Sequence, residues 1–409
     1  MSLTAGQQYT ILVAFNTGGA SGDLSTVIIS GLGCITLGTV DLCSRYVSSS
    51  NIAVGNNNGL NAARVIDANQ NLLNLFAPLS GNQQEIARAT TQTLPLLTGG
   101  STAAVRGAMN SVNNIVQARL DHVRGRASGD GFLGDKNVWL KPFASRADQD
   151  NRDGVAGYKA DTYGLAGGID GSLSPALRIG GAFAYAASDV NGKSSDAPQS
   201  NDVSIYQLIG YGSYALDDRS EVNFQADVGQ NTNKGRRQIA FTSSVASSNY
   251  DSQTAHVGVG IGRSYALSGS TTLIPSIRAD YTWIKDMAYN ESGAGLLNLN
   301  VASRSTDALV VGIDGKLSHQ LNDQTTLIAN LGVGYDLINK QDAITASFAG
   351  AANAAFVTYG INPSAWIGHG GVGAVYKLKN GLEITGRYDL EYRESFLNQT
   401  ASANVRWAF

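Results

Sequence analysis

The sequence is poor in four things, and each scarcity narrows what it encodes. No apolar run approaches the ~18 residues that a membrane-spanning helix needs, and mean hydropathy is −0.09, so no bundle of spanning helices is written here. Neither charge dominates: 29 Lys and Arg against 32 Asp and Glu leave −3 at neutral pH. A nucleic-acid binder presents a basic face to phosphates, so no nucleic acid is expected as a partner. Cysteine is limited to Cys34 and Cys43. With no His beside them they make a poor metal site, and neither metal nor cofactor is expected. In an oxidising compartment the pair is a candidate disulfide; two buried thiols is the alternative. The first ten residues also lack a basic stretch followed by an apolar one, so no secretory signal is read there. For a surface protein that implies a chain whose signal and upstream region have been removed; the alternative is an intact cytoplasmic protein.

What is present is Gly at 48 residues and Tyr at 17, with Pro held to 7. That is the composition of membrane barrels, whose strands alternate faces and so dilute their hydropathy. Two regimes meet near residue 130. Residues 1–60 mix short β-prone runs, Tyr9 to Phe15 and Ser25 to Ile29, with Gly, Ser and Asn. From Leu60 to Leu97, Ala62, Val65, Ile66, Leu72, Leu73 and Leu75 recur at helical spacing. After Gly99-Gly100, Ser101 to about Val123 carries a stripe of Val105, Met109, Val112, Ile115, Val116, Leu120 and Val123. The other side of that helix holds Arg106, Asn110, Asn113, Asn114, Gln117, Arg119 and His122.

From Asn137 to Phe409 the period switches to two. Leu273, Pro275, Ile277, Ala279, Tyr281 and Trp283 alternate with Ile274, Ser276, Arg278, Asp280 and Thr282. Leu382, Ile384, Gly386, Tyr388, Leu390 and Tyr392 alternate with Glu383, Thr385, Arg387, Asp389 and Glu391. About twelve such segments follow one another, an even number of the kind that single-chain outer-membrane barrels use. The segment Val203 to Leu216 is ambiguous in phase, and the side that Tyr206 faces is left open.

The connections alternate too. Ser174-Pro175, Asp217-Asp218, Ser268-Gly269, Asn322-Asp323 and Asn380-Gly381 are tight turns. The stretches Asn191 to Asn201, Asn233 to Tyr250, Asp286 to Ala302 and Asn339 to Ser364 read as long polar loops. This is the asymmetry of periplasmic turns and extracellular loops, and lipid demands closure because an open edge leaves unpaired N–H and C=O groups. The expected fold is an all-β membrane barrel of about twelve antiparallel strands, preceded by an α-helix and a small β/α unit. Tyr185, Tyr281, Trp283, Tyr376, Tyr388, Tyr392 and Trp407 fall on the apolar face, several near strand ends, as interfacial girdles require. Arg178, Glu221, Asp227, Arg278, Asp280, Arg387 and Glu391 fall on the other, where charges of both signs pair or meet water.

Three stretches resemble the translocator domain of the autotransporters, the type V secretion proteins. They are Trp139-Leu140-Lys141-Pro142-Phe143; Asp153-Gly154, Gly157-Tyr158-Lys159 and Thr162-Tyr163-Gly164; and Val405-Arg406-Trp407-Ala408-Phe409. The likeness covers about residues 100–409, and the upstream part resembles the end of a pertactin- or AIDA-type passenger. The resemblance implies three parts: passenger end at 1–100, linker helix and turn at 101–136, and barrel at 137–409. It implies a helix threaded through a twelve-stranded pore, and a function of anchoring in the outer membrane while exporting or displaying the chain's own passenger. The implied partners are outer-membrane lipid, the barrel-assembly machinery, periplasmic chaperones and that passenger, with the protein a monomer. Val405, Trp407 and Phe409 resemble the C-terminal signal that the assembly machinery reads. Asn113-Asn114 resembles the paired Asn at which some members cut their own lumen helix; the alternative is two Asn facing water or lumen charges.

Other signals fall away. Gly368, Gly370 and Gly373 match G-x-G-x-x-G, but a strand continues where a nucleotide-binding helix should begin. Ser21-Gly22-Asp23-Leu24 only echoes an esterase signature, and His122, His256, His319 and His369 are scattered. A small diffusion porin is the rival function, and an enzymatic passenger would lie in upstream sequence.

Overall fold

The computed structural model describes residues 46–79, 82–96, 105–107, 109, 134–378 and 381–408, together with the backbone of three short strands within 28–41. Those strands, Ile28–Ser30, Cys34–Leu37 and Val40–Asp41, form a small antiparallel sheet. Cys43, Asn113, Asn114 and Phe409 lie outside the described residues, so the disulfide and the paired Asn stand as sequence readings only.

Twelve strands form one sheet closed on itself: β1 Gly134–Gln149, β2 Tyr158–Ser172, β3 Leu177–Gly192, β4 Gln199–Ala215, β5 Ser220–Ile239 and β6 Ser244–Arg263, then β7 Thr271–Asp286, β8 Arg304–Gln320, β9 Thr325–Asp336, β10 Trp366–Lys377, β11 Leu382–Arg393 and β12 Phe396–Ala408. Tyr265–Ala266 prolongs β6 past Ser264 and pairs with β7. Each strand runs antiparallel to its neighbours in sequence, and β12 pairs with β1 to close the ring, with Trp407 opposite Val138 and Phe396 opposite Gln149. Closure leaves no strand edge unpaired, the condition that lipid imposes.

Alternation decides the two faces. On β1, Trp139 and Phe143 turn inward at 2% and 5% exposure, while Val138 and Leu140 face out at 45% and 49%. The outward belt continues through Leu165, Phe183, Leu208, Val257, Ile313, Leu331 and Val372, all exposed apolar side chains that water would not tolerate in such number. Aromatic side chains fringe it at both ends, Tyr214, Tyr376 and Trp407 at one and Tyr281, Tyr335, Trp366 and Tyr392 at the other. Tyr206 faces outward against Tyr185, ring centroids 5.1 Å apart, which resolves the open phase of β4.

The tight turns close as their sequences dictate. Asp217 accepts from the N–H groups of Arg219 and Ser220, both at 2.7 Å, and Asn322 accepts from Gln324 and Thr325 at 3.0 and 2.8 Å. At the opposite end one expectation needs correcting. Asn233 to Tyr250 is not a loop: β5 and β6 are 20 residues each and meet in a tight turn at residues 240–243. A tilted strand needs only about 9–11 residues to cross the hydrocarbon, so this hairpin rises well above it. Polar Asn231, Asn233 and Arg237 keep its inward face in phase, and their polarity made the strand read as loop.

The two long loops are also structured. Tyr289–Asn290, Leu299–Val301, Ala343–Phe348 and Ala355–Tyr359 pair into a four-stranded sheet above the barrel. Against it sit α1 Tyr46–Ala53, α2 Leu60–Asp67, α3 Gln70–Phe76 and α4 Gln83–Gln92, sharing one apolar core with the loop sheet and the β5–β6 hairpin. Asn69 and Asn82 cap α3 and α4 through their side-chain oxygens. The helix α1 falls where a β-prone stretch was expected. Its cap is remote in sequence: the Asp67 carboxylate accepts from Val47 and Ser48 N–H at 2.7 and 2.9 Å. Burial pushes the Asp67 carboxyl above the usual carboxylate range, against the pull of those N–H groups.

Candidate functional site

The site is the barrel interior, and its two halves differ. The inner faces of β1 to β4 carry one buried apolar cluster, with Trp139, Phe143, Ala160, Ala166, Ala184, Ile205 and Ile209 in it, beside buried Lys141, Asp170, Arg178 and Gln207. Val105 and Met109, one helical turn apart, belong to the same cluster at 2% and 1% exposure. The described residues of the expected 101–123 helix therefore lie against the barrel's inner wall. Burying two such side chains contributes about 3–6 kcal/mol on area grounds.

Arg106, between them in sequence, points to the other half, a cavity of about 220 Å³ lined by charged and polar side chains together with apolar ones such as Ile274, Val310 and Ile367. Arg278, Asp280, Arg387 and Glu391 line it, with Asn223, His256, Asp314 and His369. One arrangement occurs twice there. Arg278 Nε donates to both oxygens of Asp280 at 2.9 and 2.8 Å, and Nη1 reaches Asn223 at 2.7 Å. Arg387 Nε donates to both oxygens of Asp389 at 2.8 Å, and Nη2 reaches Asn330 at 2.5 Å. Residues two apart on a strand share a face, so an Arg-x-Asp triplet builds its own ion pair wherever one face is sheltered.

The remaining charged residues sort by height. Asp227 accepts from Gln207 at 2.6 Å and Gln225 at 3.0 Å, and lies 2.7 Å from His256 Nδ1. His256 Nε2 is 2.9 Å from Asp280, and His369 Nε2 contacts Asp314. Glu391 accepts from Arg393 at 3.2 Å. Arg178 pairs with Asp170 at 3.0 Å at the tight-turn end, apart from the central cavity, and Glu221 lies at the same end, opposite Gly262. Acids and bases are interleaved throughout, so the interior is wettable without strongly favouring ions of one sign.

Unforeseen in the sequence was how the Trp139 and Gly168 regions interlock. Trp139 sits opposite Gly168, and Phe143 opposite Gly164. A Cβ at Gly168 would approach the Trp139 ring to 2.8 Å, and one at Gly164 would strike the Phe143 ring. Two of the resembling stretches thus meet across strands, Phe143 of the first against Gly164 of the second. Trp139 Nε1 also donates to the Tyr211 hydroxyl at 2.7 Å, which donates to Asp170 at 3.0 Å. The only sequence signal was the shared odd parity of Trp139, Lys141 and Phe143. Val405 and Trp407 face outward on β12 at the closing seam, opposite Leu140 and Val138. Among the described residues no cluster of His, Cys, Asp and Glu is arranged to hold a metal ion.

Comparison with known proteins places this architecture. The translocator domain of the autotransporter NalP from Neisseria meningitidis has a similar fold, with TM-score 0.63, 18% identity, and coverage of 76% of this chain and 99% of that one. Outer membrane protein A of Rickettsia conorii is 30% identical over 323 residues, 74% of this chain but 16% of that protein. Outer membrane protein A of Rickettsia rickettsii is also 30% identical, and the chain spans 14% of its length. The chain thus corresponds to a small part of these relatives. Residues 138–389 match the family model for the autotransporter beta-domain, which covers more than half of the chain. With its closed barrel of twelve strands, the chain belongs to the autotransporter beta-domain family, and its barrel is an outer-membrane one.

Proposed function

We propose that this translocator carries the polypeptide upstream of residue 105 through its own lumen and holds it at the cell surface, with residues 1–100 the end of the passenger. One observation supports it above others: Val105 and Met109 are seated on the lumen wall while α1–α4 rest on the loop end of the same barrel. The chain thus enters at the end where the long loops are. A diffusion porin has no use for a segment that leads from loop-end helices onto its inner wall. We further propose that β12, with Val405, Trp407 and Phe409, is the strand read by the assembly machinery, after periplasmic chaperones have delivered the unfolded chain. The Asn113-Asn114 pair is proposed as a candidate site of self-cleavage, against the alternative of two Asn facing water or lumen charges.

The test fuses a secretory signal and a reporter ahead of Tyr46. Intact cells are expected to bind an antibody against the reporter, and removal of residues 396–409 is expected to abolish that binding. A reporter that stays inside cells carrying a fully folded barrel would refute the export reading.

A further inference from the structure

We propose that the underside of α1–α4 and the loop sheet form a self-recognising interface, a latch that retains the end of the passenger on the barrel even when the polypeptide joining them is cut. The inference deepens the export reading and rests on it. The four helices are 7 to 10 residues each, shorter than the ~12–15 at which an isolated helix becomes even marginal in water. Their core is completed by the barrel: Ile66, Leu72 and Phe76 are buried together with Leu299, Ile344 and Phe348 of the loop sheet. A surface this apolar, shared between two segments, has the character of an obligate interface rather than of a transient one.

Polar contacts fix the register. Asn61 donates to the Val357 carbonyl and Asn69 to that of Gly350, both at 2.9 Å, and Gln92 to that of Asp196 at 2.7 Å. Beneath them Arg237, fully buried on the β5–β6 hairpin, donates to the Gln92 carbonyl at 2.6 Å, to Leu297 O at 3.0 Å and to both oxygens of Glu291. One guanidinium thereby joins the last helix, the hairpin and a loop. None of these contacts passes through residues 97–104. The partner that this platform fits is the chain's own helical segment, so retention requires no covalent bond.

The experiment places a specific protease site between Thr98 and Gly99 of the full chain, folds the protein in detergent, cleaves it and separates the products by size. The fragment carrying α1–α4 is expected to stay with the barrel. Phe348→Asp is expected to raise the released fraction about tenfold or more, the change that ~1.4 kcal/mol produces. Asn61→Ala with Asn69→Ala is expected to release a smaller share. Heat-modifiable migration in gels verifies that each barrel is folded. Quantitative release from the unsubstituted protein overturns the latch, and retention by Phe348→Asp overturns the interface assigned here. An epitope in α3 of uncut protein on intact cells separates the two ideas: release with the epitope at the surface sinks the latch alone, and an epitope that never reaches the surface sinks the export reading.

Discussion

Arg237 brings five N–H donors to a position with no exposed surface, and Glu291, its ion-pair partner, is also buried. Arg237→Ala leaves that carboxylate buried without its counter-charge, a loss of roughly 3–5 kcal/mol. Limited proteolysis should then cut within residues 46–96 while the barrel stays resistant. Arg237→Lys should fail to rescue it, since an ammonium cannot span the same fork. In the barrel wall, Gly168→Val forces a side chain into the Trp139 ring and is expected to cost about 1–3 kcal/mol by overpacking. The readout is the fraction of heat-modifiable barrel after refolding. At α1, Asp67→Ala strips an acceptor from two N–H groups and should cost the helical unit about 0.5–2 kcal/mol, the usual worth of a cap. Asp67→Asn keeps one acceptor and relieves a buried charge, so it should cost less, measured by denaturant resistance of the helical signal. The lumen charges were legible at this scale because parity alone places Arg278 with Asp280 and Arg387 with Asp389. The Arg237 pair was not, because its acid lies 54 positions away in a loop with no periodicity.

Among elements, the segment 101–123 and the inner wall of β1–β4 depend on each other. Deleting residues 101–123 should convert a poorly conducting barrel into an open pore in single-channel recordings. Unchanged conductance would mean that the segment does not obstruct the lumen. The same dependence explains what the sequence could and could not reveal. Strands such as β7 and β11 were readable because lipid on one side and charge on the other enforce a clean period of two. The phase of β4 was not, since Val203, Ile205 and Ile209 line the lumen while Leu208 faces lipid, making both faces apolar. An inner wall covered by another part of the chain erases the contrast on which periodicity rests. The helix α1 escaped notice for a related reason. Ser48, Ser50 and Asn51 are buried between helices, and Asn51 donates to Val47 O at 2.8 Å and to Thr90 at 3.0 Å. Packing rather than propensity makes it a helix, and its cap lies about twenty positions away.

At the scale of the molecule, twelve strands are intermediate between barrels filled by their own side chains and those of 16–18 strands that leave an aqueous channel. A single helix is about 10–12 Å across with its side chains. Val105 and Met109 rest on an apolar part of the lumen wall, and a cavity with charged side chains lies beside them. The loops on one side are built up into a platform and the turns on the other are minimal, so the molecule has an outside and an inside. The measurement that tests this orientation most directly is labelling of intact cells with a membrane-impermeant maleimide. The protein would carry Cys34→Ser and Cys43→Ser, with one new cysteine at Gln70 on α3 or at Asp323 in the β8–β9 turn. The account predicts that Gln70→Cys is labelled on intact cells, and Asp323→Cys only after the outer membrane is permeabilised. Labelling at the turn with protection at α3 would contradict it.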